Sequence, residues 1–339
     1  KTDYGDCMKP LFMWAGGKNR MLRKYQPFLP ESFDKYVEPF FGGGAMFIWA
    51  CEKNPDASFV INDINEHIVQ IYKSVRDDHE YFCETMDRLE KEYLRLKSPE
   101  DIPTNKELQK EHKMEVNGRY DWNTIFEKEP SRRHFYFRLR DKYAWNCPVE
   151  SWPPTFEAAV LYFLMKTGFN GLWQINKNTN GRFGTPAGLL NQKDKVYDKK
   201  NVLEWHKALQ KCTIISDDFA TVVSQHVTKD TFLFMDPPYR KSERDGQNTF
   251  TQYGVDFNDR EELRVLESLR EVKKVGAIGW LSNRDDGSGF WENNCGEDFT
   301  IHRFDTTYTA GRRKKVEMDE KVTYKAKKAV EVLITTKEN

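Results

Sequence analysis

The tetrapeptide Asp236-Pro237-Pro238-Tyr239 follows directly on an apolar, β-favouring run, Thr231-Phe232-Leu233-Phe234-Met235. A strand that ends there delivers a carboxylate to the carboxyl edge of a sheet, where ligands bind in open α/β folds. The two prolines cannot continue a ladder and carry no N–H. The Asp236 carboxylate and the local carbonyls therefore form a cluster of acceptors beside the Tyr239 ring. Such a site suits a flat donor, and the exocyclic amine of a nucleobase fits it, with an aromatic face available for stacking.

A second constellation lies upstream. Lys35 to Glu38 reads as a strand, Pro39-Phe40-Phe41-Gly42-Gly43-Gly44 as a Gly-rich turn, and the chain from Ala45 as a helix. Glycines let a ligand approach the backbone closely. The spacing is not the G-x-G-x-x-G that seats a pyrophosphate, so a nucleoside cofactor without a phosphate fits better. The next strand, Ser58 to Ile61, ends at Asn62-Asp63, and an acid at that position accepts bonds from ribose hydroxyls. Nearer the start, Trp14-Ala15-Gly16-Gly17-Lys18 offers an aromatic wall and a cation for an anionic group, although a core Trp and a surface Lys explain it equally well.

The elements that must position these residues alternate. Further strands are expected at Thr213 to Ser216, Phe232 to Met235, Gly276 to Leu281, Phe299 to Arg303 and Val330 to Thr335. A helix is expected after the acidic start Asp259-Arg260-Glu261-Glu262. The alternation implies an α/β fold with a doubly wound, mostly parallel sheet. From about residue 77 to 194 the rhythm changes to helix and loop, with Phe156, Ala159, Val160, Phe163 and Leu164 at helical spacing. This middle reads as an inserted, mainly helical domain, which leaves 1–76 and 195–339 as a discontinuous catalytic domain. Within the insertion, 97–130 reads by composition as a mobile polar excursion.

Composition narrows the partners. Lys plus Arg and Asp plus Glu both number 53, so a nucleic acid must be met by a local basic face rather than by net charge. The six cysteines are scattered without a C-x-x-C pair, which argues against a zinc ribbon or a disulfide scaffold, and no metal is expected. No stretch approaches the roughly 18 apolar residues of a membrane span. A soluble intracellular protein, cytoplasmic or DNA-associated, is the expectation.

Taken in order, FMWAGGK (12–18), VEPFFGGGAMF (37–47), INDIN (61–65), the middle insertion and DPPY (236–239) resemble the Dam-like, alpha-ordered DNA adenine-N6 methyltransferases. GFNGLWQINKNTNGRFGTPAG (168–188), FTQY (250–253), LSN (281–283) and RRKKV (312–316) extend the likeness over most of the chain. The resemblance implies S-adenosylmethionine as methyl donor, bound by Trp14, Lys18, Phe40, Gly42, Gly44 and Asp63, with Asp236 between donor and base. It also points to Asp218 and Phe219, at the strand end before the DPPY strand, as donor contacts. Asp236, Pro237, Pro238 and Tyr239 become the catalytic clamp: acceptors take the amine's two protons as hydrogen bonds and aim its lone pair at the sulfonium methyl.

Double-stranded DNA is then the partner, and the target base must leave the helix. Phe169 suits a wedge that fills the gap, while Asn170, Gln174, Asn176 and Arg182 sit in a loop able to read bases. Where GATC-specific relatives carry an arginine, this chain has Gln174, so GATC specificity is not carried over. Arg312, Arg313, Lys314 and Lys315 form a cationic run suited to phosphates. Two alternatives stay open on the residues alone: cytosine-N4 as the acceptor, and a catalytically silent DNA-binding module on the same fold.

Overall fold

The structure is a computed structural model that describes residues 8–14, 18–96, 131–147, 151–175, 179–188, 194–239, 257–308, 314–318, 321–325 and 327–336. The 97–130 excursion, the FTQY stretch, Asn176, Arg312 and Arg313 lie outside the described residues. In chain order come α1 (Asn19–Tyr25), β1 (Lys35–Glu38), α2 (Ala45–Lys53) and β2 (Ser58–Asn62). Helices α3 (Glu66–Asp77), α4 (His79–Arg95), α5 (Arg132–Trp145), α6 (Pro154–Thr167) and α7 (Lys199–Leu209) follow. Alternation resumes with β3 (Cys212–Ile215), α8 (Phe219–His226), β4 (Thr231–Met235), α9 (Asp259–Lys274) and β5 (Ile278–Asp285). Last come α10 (Phe290–Cys295), β6 (Phe299–Tyr308), β7 (Lys314–Met318), β8 (Lys321–Lys325) and β9 (Lys327–Thr336).

Two compact units divide the chain. One comprises Lys1–Gly16, Asn65–Gln210 and Thr251–Gly254, the other Gly17–Ile64, Lys211–Phe250 and Val255–Asn339. The second unit holds a sheet ordered β3-β2-β1-β4-β5-β9-β6, parallel from β3 through β5, with β9 antiparallel to both β5 and β6. This is the mixed α/β, mostly parallel sheet expected from the alternation. The order reverses between β1 and β4, so their carboxyl ends lie side by side at the switch point.

Parity along the strands sorts the core. Val37, Leu233, Leu281, Val332 and Ile334 belong to an aliphatic cluster with Val265, Leu266, Leu269 and Val272 of α9. The alternate positions carry rings instead, with Phe232 5.7 Å from Tyr36 and 5.2 Å from Trp280. All five residues of β4 are buried, as a central strand covered on both faces requires. The α9 start is capped by Asn258, whose side chain accepts from the Arg260 and Glu261 N–H groups, and its first turn is acidic.

In the other unit α6 is buried on all sides, from Ala158 to Met165, which marks it as the central helix of its group. The stripe read from the sequence captured only part of that surface, because Ala158, Leu161, Tyr162 and Met165 outside it are buried as well; within it Phe156 alone stays partly exposed. Residues 65–76 and 195–210, which the sequence reading grouped with the catalytic domain, fall in this helical unit. The physical reason is packing: α3 lies against α6 and α7, and Tyr72 and Trp205 meet at 5.4 Å. The β7–β8 ribbon was not foreseen, since KKVEM and KVTYK lack a clean apolar alternation. β5, β6 and β9 also run past their apolar stretches, because ladder bonds continue where side chains turn polar.

Gly279 of β5 lies under α9, and a Cβ there would come within 2.6 Å of Leu269 Cδ1 and 2.9 Å of Val272 Cγ1. Gly279→Val should therefore overpack this interface and cost about 1–3 kcal/mol, read as a lowered urea midpoint. An unchanged midpoint would show that α9 yields freely.

Candidate active site

Asp236 stands one residue beyond β4, at the switch point, and parity turns it to the face that carries Phe234 and Trp280 rather than to the aliphatic face of Met235. Lys18 immediately precedes α1, and its carbonyl accepts from the N–H groups of Met21 and Leu22. Buried Tyr25 holds that helix to the sheet, with its hydroxyl 2.7 Å from Ser282 Oγ. Glu331 of β9 pairs in register with Arg284 and Phe304 and shares the parity of Leu333 and Ser282. The start of α1, the end of β4 and the middle of β9 thus bring Lys18, Asp236, Tyr239 and Glu331 together.

The Lys18 Nζ lies 3.0 Å from Asp236 Oδ1, 2.6 Å from Tyr239 Oη and 3.5 Å from Glu331 Oε2. Tyr239 in turn donates its hydroxyl to Glu331 Oε1 at 2.7 Å. Lys18 is 3 % exposed and Glu331 2 %, whereas Asp236 keeps 20 % of its side-chain surface open. Burial alone would lower the Lys18 ammonium, but the carboxylates of Asp236 and Glu331 outweigh it and hold Lys18 above the ordinary lysine range. Burial pushes the Asp236 carboxyl up to about 6 against the pull of Lys18, and Glu331 adds to the rise. Lys18, expected to meet an anionic ligand group, is thus engaged by the protein's own acceptors.

The Gly-rich turn is tied from the neighbouring strand. Asp63 Oδ2 accepts from the Gly42 N–H at 2.9 Å, and Gly42 and Gly44 take φ of 48° and 67°, which glycine adopts without strain. Glu38 is buried and accepts from Tyr36 Oη at 2.7 Å. Burial raises its carboxyl well above the carboxylate range; the Tyr36 bond opposes this, and Asp236 and Asp63 add to it. Ile64, which sequence reasoning passed over, follows Asp63 and leaves 55 % of its surface in solvent.

Asp218 and Phe219 have structural tasks. Asp218 caps α8 through the Ala220 N–H and meets Arg264 at 2.7 Å. Phe219 packs in the core, 5.0 Å from Phe40, with the Arg264 guanidinium 4.8 Å from its ring. Lys314 and Lys315 open β7, and nothing of their side chains is described.

Trp14 belongs to the helical unit, where it stands 6.0 Å from both Phe12 and Trp173. The loop after α6 is closed by bridges between Gly168 and Ala187 and between Ile175 and Phe183. At its tip Phe169 is 43 % exposed, and Asn170 takes a left-handed φ of 51°, a conformation asparagine tolerates. Gly171 has φ of 60°, and a Cβ there would run into Cβ of Met13. Met13, also missed by the sequence reading, is 66 % exposed beside this tip. The Gln174 carbonyl accepts from Gly184 N–H at 2.8 Å, which holds the loop closed. Arg182 departs from its expected role: it pairs with Glu157 and lies 4.3 Å over the Tyr143 ring.

Among the described residues no cluster of His, Cys, Asp and Glu is placed to hold a metal ion, and no helix is long and apolar enough to cross a membrane. A family model described as D12 class N6 adenine-specific DNA methyltransferase matches residues 14–310. The chain is 30 % identical over 282 residues to the Type II methyltransferase M.MjaIII of Methanocaldococcus jannaschii, covering 81 % of this chain and 84 % of the relative. It is 26 % identical to M1.LlaDCHI of Lactococcus lactis subsp. cremoris, another Type II methyltransferase, over 90 % of each chain. A DNA adenine methylase of Haemophilus influenzae is 21 % identical over 92 % of each chain.

Removal of the shared cation tests the cluster. Lys18→Met leaves two carboxylates and a phenol without their common donor, and should cost roughly 3 kcal/mol of stability at neutral pH. A thermal midpoint equal to that of the unaltered protein would contradict the shared-cation geometry.

Proposed function

Because the chain belongs to the D12 class N6 adenine-specific DNA methyltransferases, we propose that Asp236 is the group that receives the adenine amine and that S-adenosylmethionine is the methyl donor. The protein is an adenine-specific DNA methyltransferase, so the cytosine-N4 reading and the silent-module reading are set aside. One observation carries the assignment. Asp236 is a partly open carboxylate at the carboxyl end of β4, beside β1 at the switch point, anchored by a buried cation on one oxygen.

The residues at hand fit the donor. Gly42 and Gly44 leave the turn without side chains where the backbone must be approached, and the Asp63 and Asp236 carboxyls suit a cationic ligand. Asp63 would hold the ribose hydroxyls, with Ile64 and Asp218 beside the adenine ring. When bound, S-adenosylmethionine supplies a methyl carbon on a cationic sulfur, which departs as a neutral thioether.

Adenine's N6 lone pair is delocalised into the ring, so the amine is a weak nucleophile. A hydrogen bond from N6 to Asp236, with a second to the Pro237 carbonyl, favours a pyramidal nitrogen whose lone pair is free to form the new N–C bond. The surplus proton on nitrogen passes to Asp236 and from there to water. Lys18 keeps Asp236 charged enough to accept and holds one oxygen still.

The DNA must deliver a base out of its stack. We assign that task to the Phe169-Asn170 tip with Met13 beside it: an exposed ring and thioether can fill the vacated space, and the amide can pair with a base edge. Gln174 and Asn176 read further edges, and the 312–315 run meets phosphates.

Purified Asp236→Ala protein should transfer radiolabelled methyl groups to DNA at least about 1000-fold more slowly than the native protein. Undiminished formation of N6-methyladenine would overturn the assignment. Since Asp236 acts as an acceptor only when ionised, and its carboxyl is raised to about 6, kcat should fall below pH 6, by about tenfold per pH unit well below that value. A flat profile down to pH 5 would remove Asp236 from the chemistry. Phe169→Ala should weaken turnover on duplex DNA while leaving S-adenosylmethionine binding unchanged, and equal loss of both would count against a wedge.

A further inference from the structure

We propose that Glu331 of β9 is a positioning residue for methyl transfer: it shares Lys18 with Asp236 and fixes Tyr239, so that Asp236 keeps an oxygen available to the incoming amine. This rests on the reading of Asp236 as the acceptor of that amine. Glu331 lies beyond the span that the family model matches, on a strand that runs antiparallel to the catalytic part of the sheet. In the sequence it interrupts the apolar run Val330, Val332, Leu333, Ile334 with a charge, and a buried acid among such neighbours implies a partner.

The direction of the hydrogen bonds makes the argument. An ammonium only donates, and Lys18 has three N–H groups for three acceptors, Asp236, Tyr239 and Glu331. Tyr239 therefore accepts from Lys18, and its own hydroxyl must donate onward, which it does to Glu331 Oε1 at 2.7 Å. The relay runs one way, from Lys18 through Tyr239 to Glu331, and needs an acceptor at its end. Without Glu331 the Tyr239 hydroxyl and the whole of the Lys18 charge turn to the other carboxylate within reach, Asp236. Both would then compete with the substrate amine for the same oxygens.

Charge gives a second, separable consequence. Asp236 faces Lys18 and Tyr25 from the α1 side, Tyr36 and Glu38 from β1, Tyr239 beyond β4 and Glu331 from β9, where Arg284 stands opposite in register. Of these, Glu331 contributes a repulsion that raises the Asp236 carboxyl. Replacing its carboxylate by a neutral amide removes that repulsion and keeps the shape, and it leaves one acceptor oxygen where two served Tyr239 and Lys18, so one of those donors turns to Asp236.

The experiment compares Glu331→Gln with native protein and with Asp236→Asn, using duplex DNA and S-adenosylmethionine. For Glu331→Gln we expect kcat to fall by up to about 100-fold, KM for DNA and donor to stay within about twofold, and the acid limb of kcat to move to lower pH. A native kcat in Glu331→Gln overturns the proposal. So does a loss of kcat with an unmoved acid limb and a lowered thermal midpoint, which is the signature of a structural role. If Asp236→Asn itself stays active, the reading of Asp236 fails; if Asp236→Asn is inactive and Glu331→Gln is native, only the present inference fails. Should Glu331→Gln not fold, Tyr239→Phe cuts the same relay at its middle, and a native kcat there overturns the proposal equally.

Discussion

A lysine ammonium that is nearly closed to water and shared by two carboxylates and a phenol is the interaction on which the site depends. Taking such a charge out of solvent is costly, and it is tolerated because each of its three N–H groups has an acceptor. The consequence reaches far along the chain. Lys18 sits ahead of α1, Asp236 and Tyr239 follow β4, and Glu331 lies on β9, so one cation ties together segments from opposite ends of the sequence.

That tie gives Asp236 two properties that pull against each other. Burial favours the protonated acid, while Lys18 favours the carboxylate, and the balance leaves the group ionised near neutral pH. Asp236 nevertheless keeps 20 % of its side-chain surface open, whereas Lys18 is almost wholly closed.

The aromatic and aliphatic faces of the sheet serve the same arrangement. The aliphatic face packs on α9 and buries Leu233 and Met235 of β4 between them. The other face carries Phe232, Trp280 and Tyr36, and through Tyr25 it seats α1 and hence Lys18. Parity decides that Asp236 and Glu331 point to this second face, where the lysine is.

The sequence by itself determined the class of fold and the local patterns from which the candidate site is built. Asp236-Pro237-Pro238-Tyr239 after an apolar run, the Gly42 to Gly44 turn and Asp63 after the second strand are local patterns, and strand, turn and helix signals are carried by residues close in sequence. The tertiary structure alone decided who partners whom. Nothing local tells that Lys18 is consumed by Asp236, Tyr239 and Glu331, that Arg182 turns inward to Glu157, or that Phe219 is a core ring rather than an open platform. Nor does it tell that α3 and α7 join the helical unit, since the segments they pack against are distant in sequence. The physical reason is common to all four cases. Propensity and periodicity act over a few residues, whereas the pairing of a buried charge or an apolar face depends on which distant segment the topology carries to it.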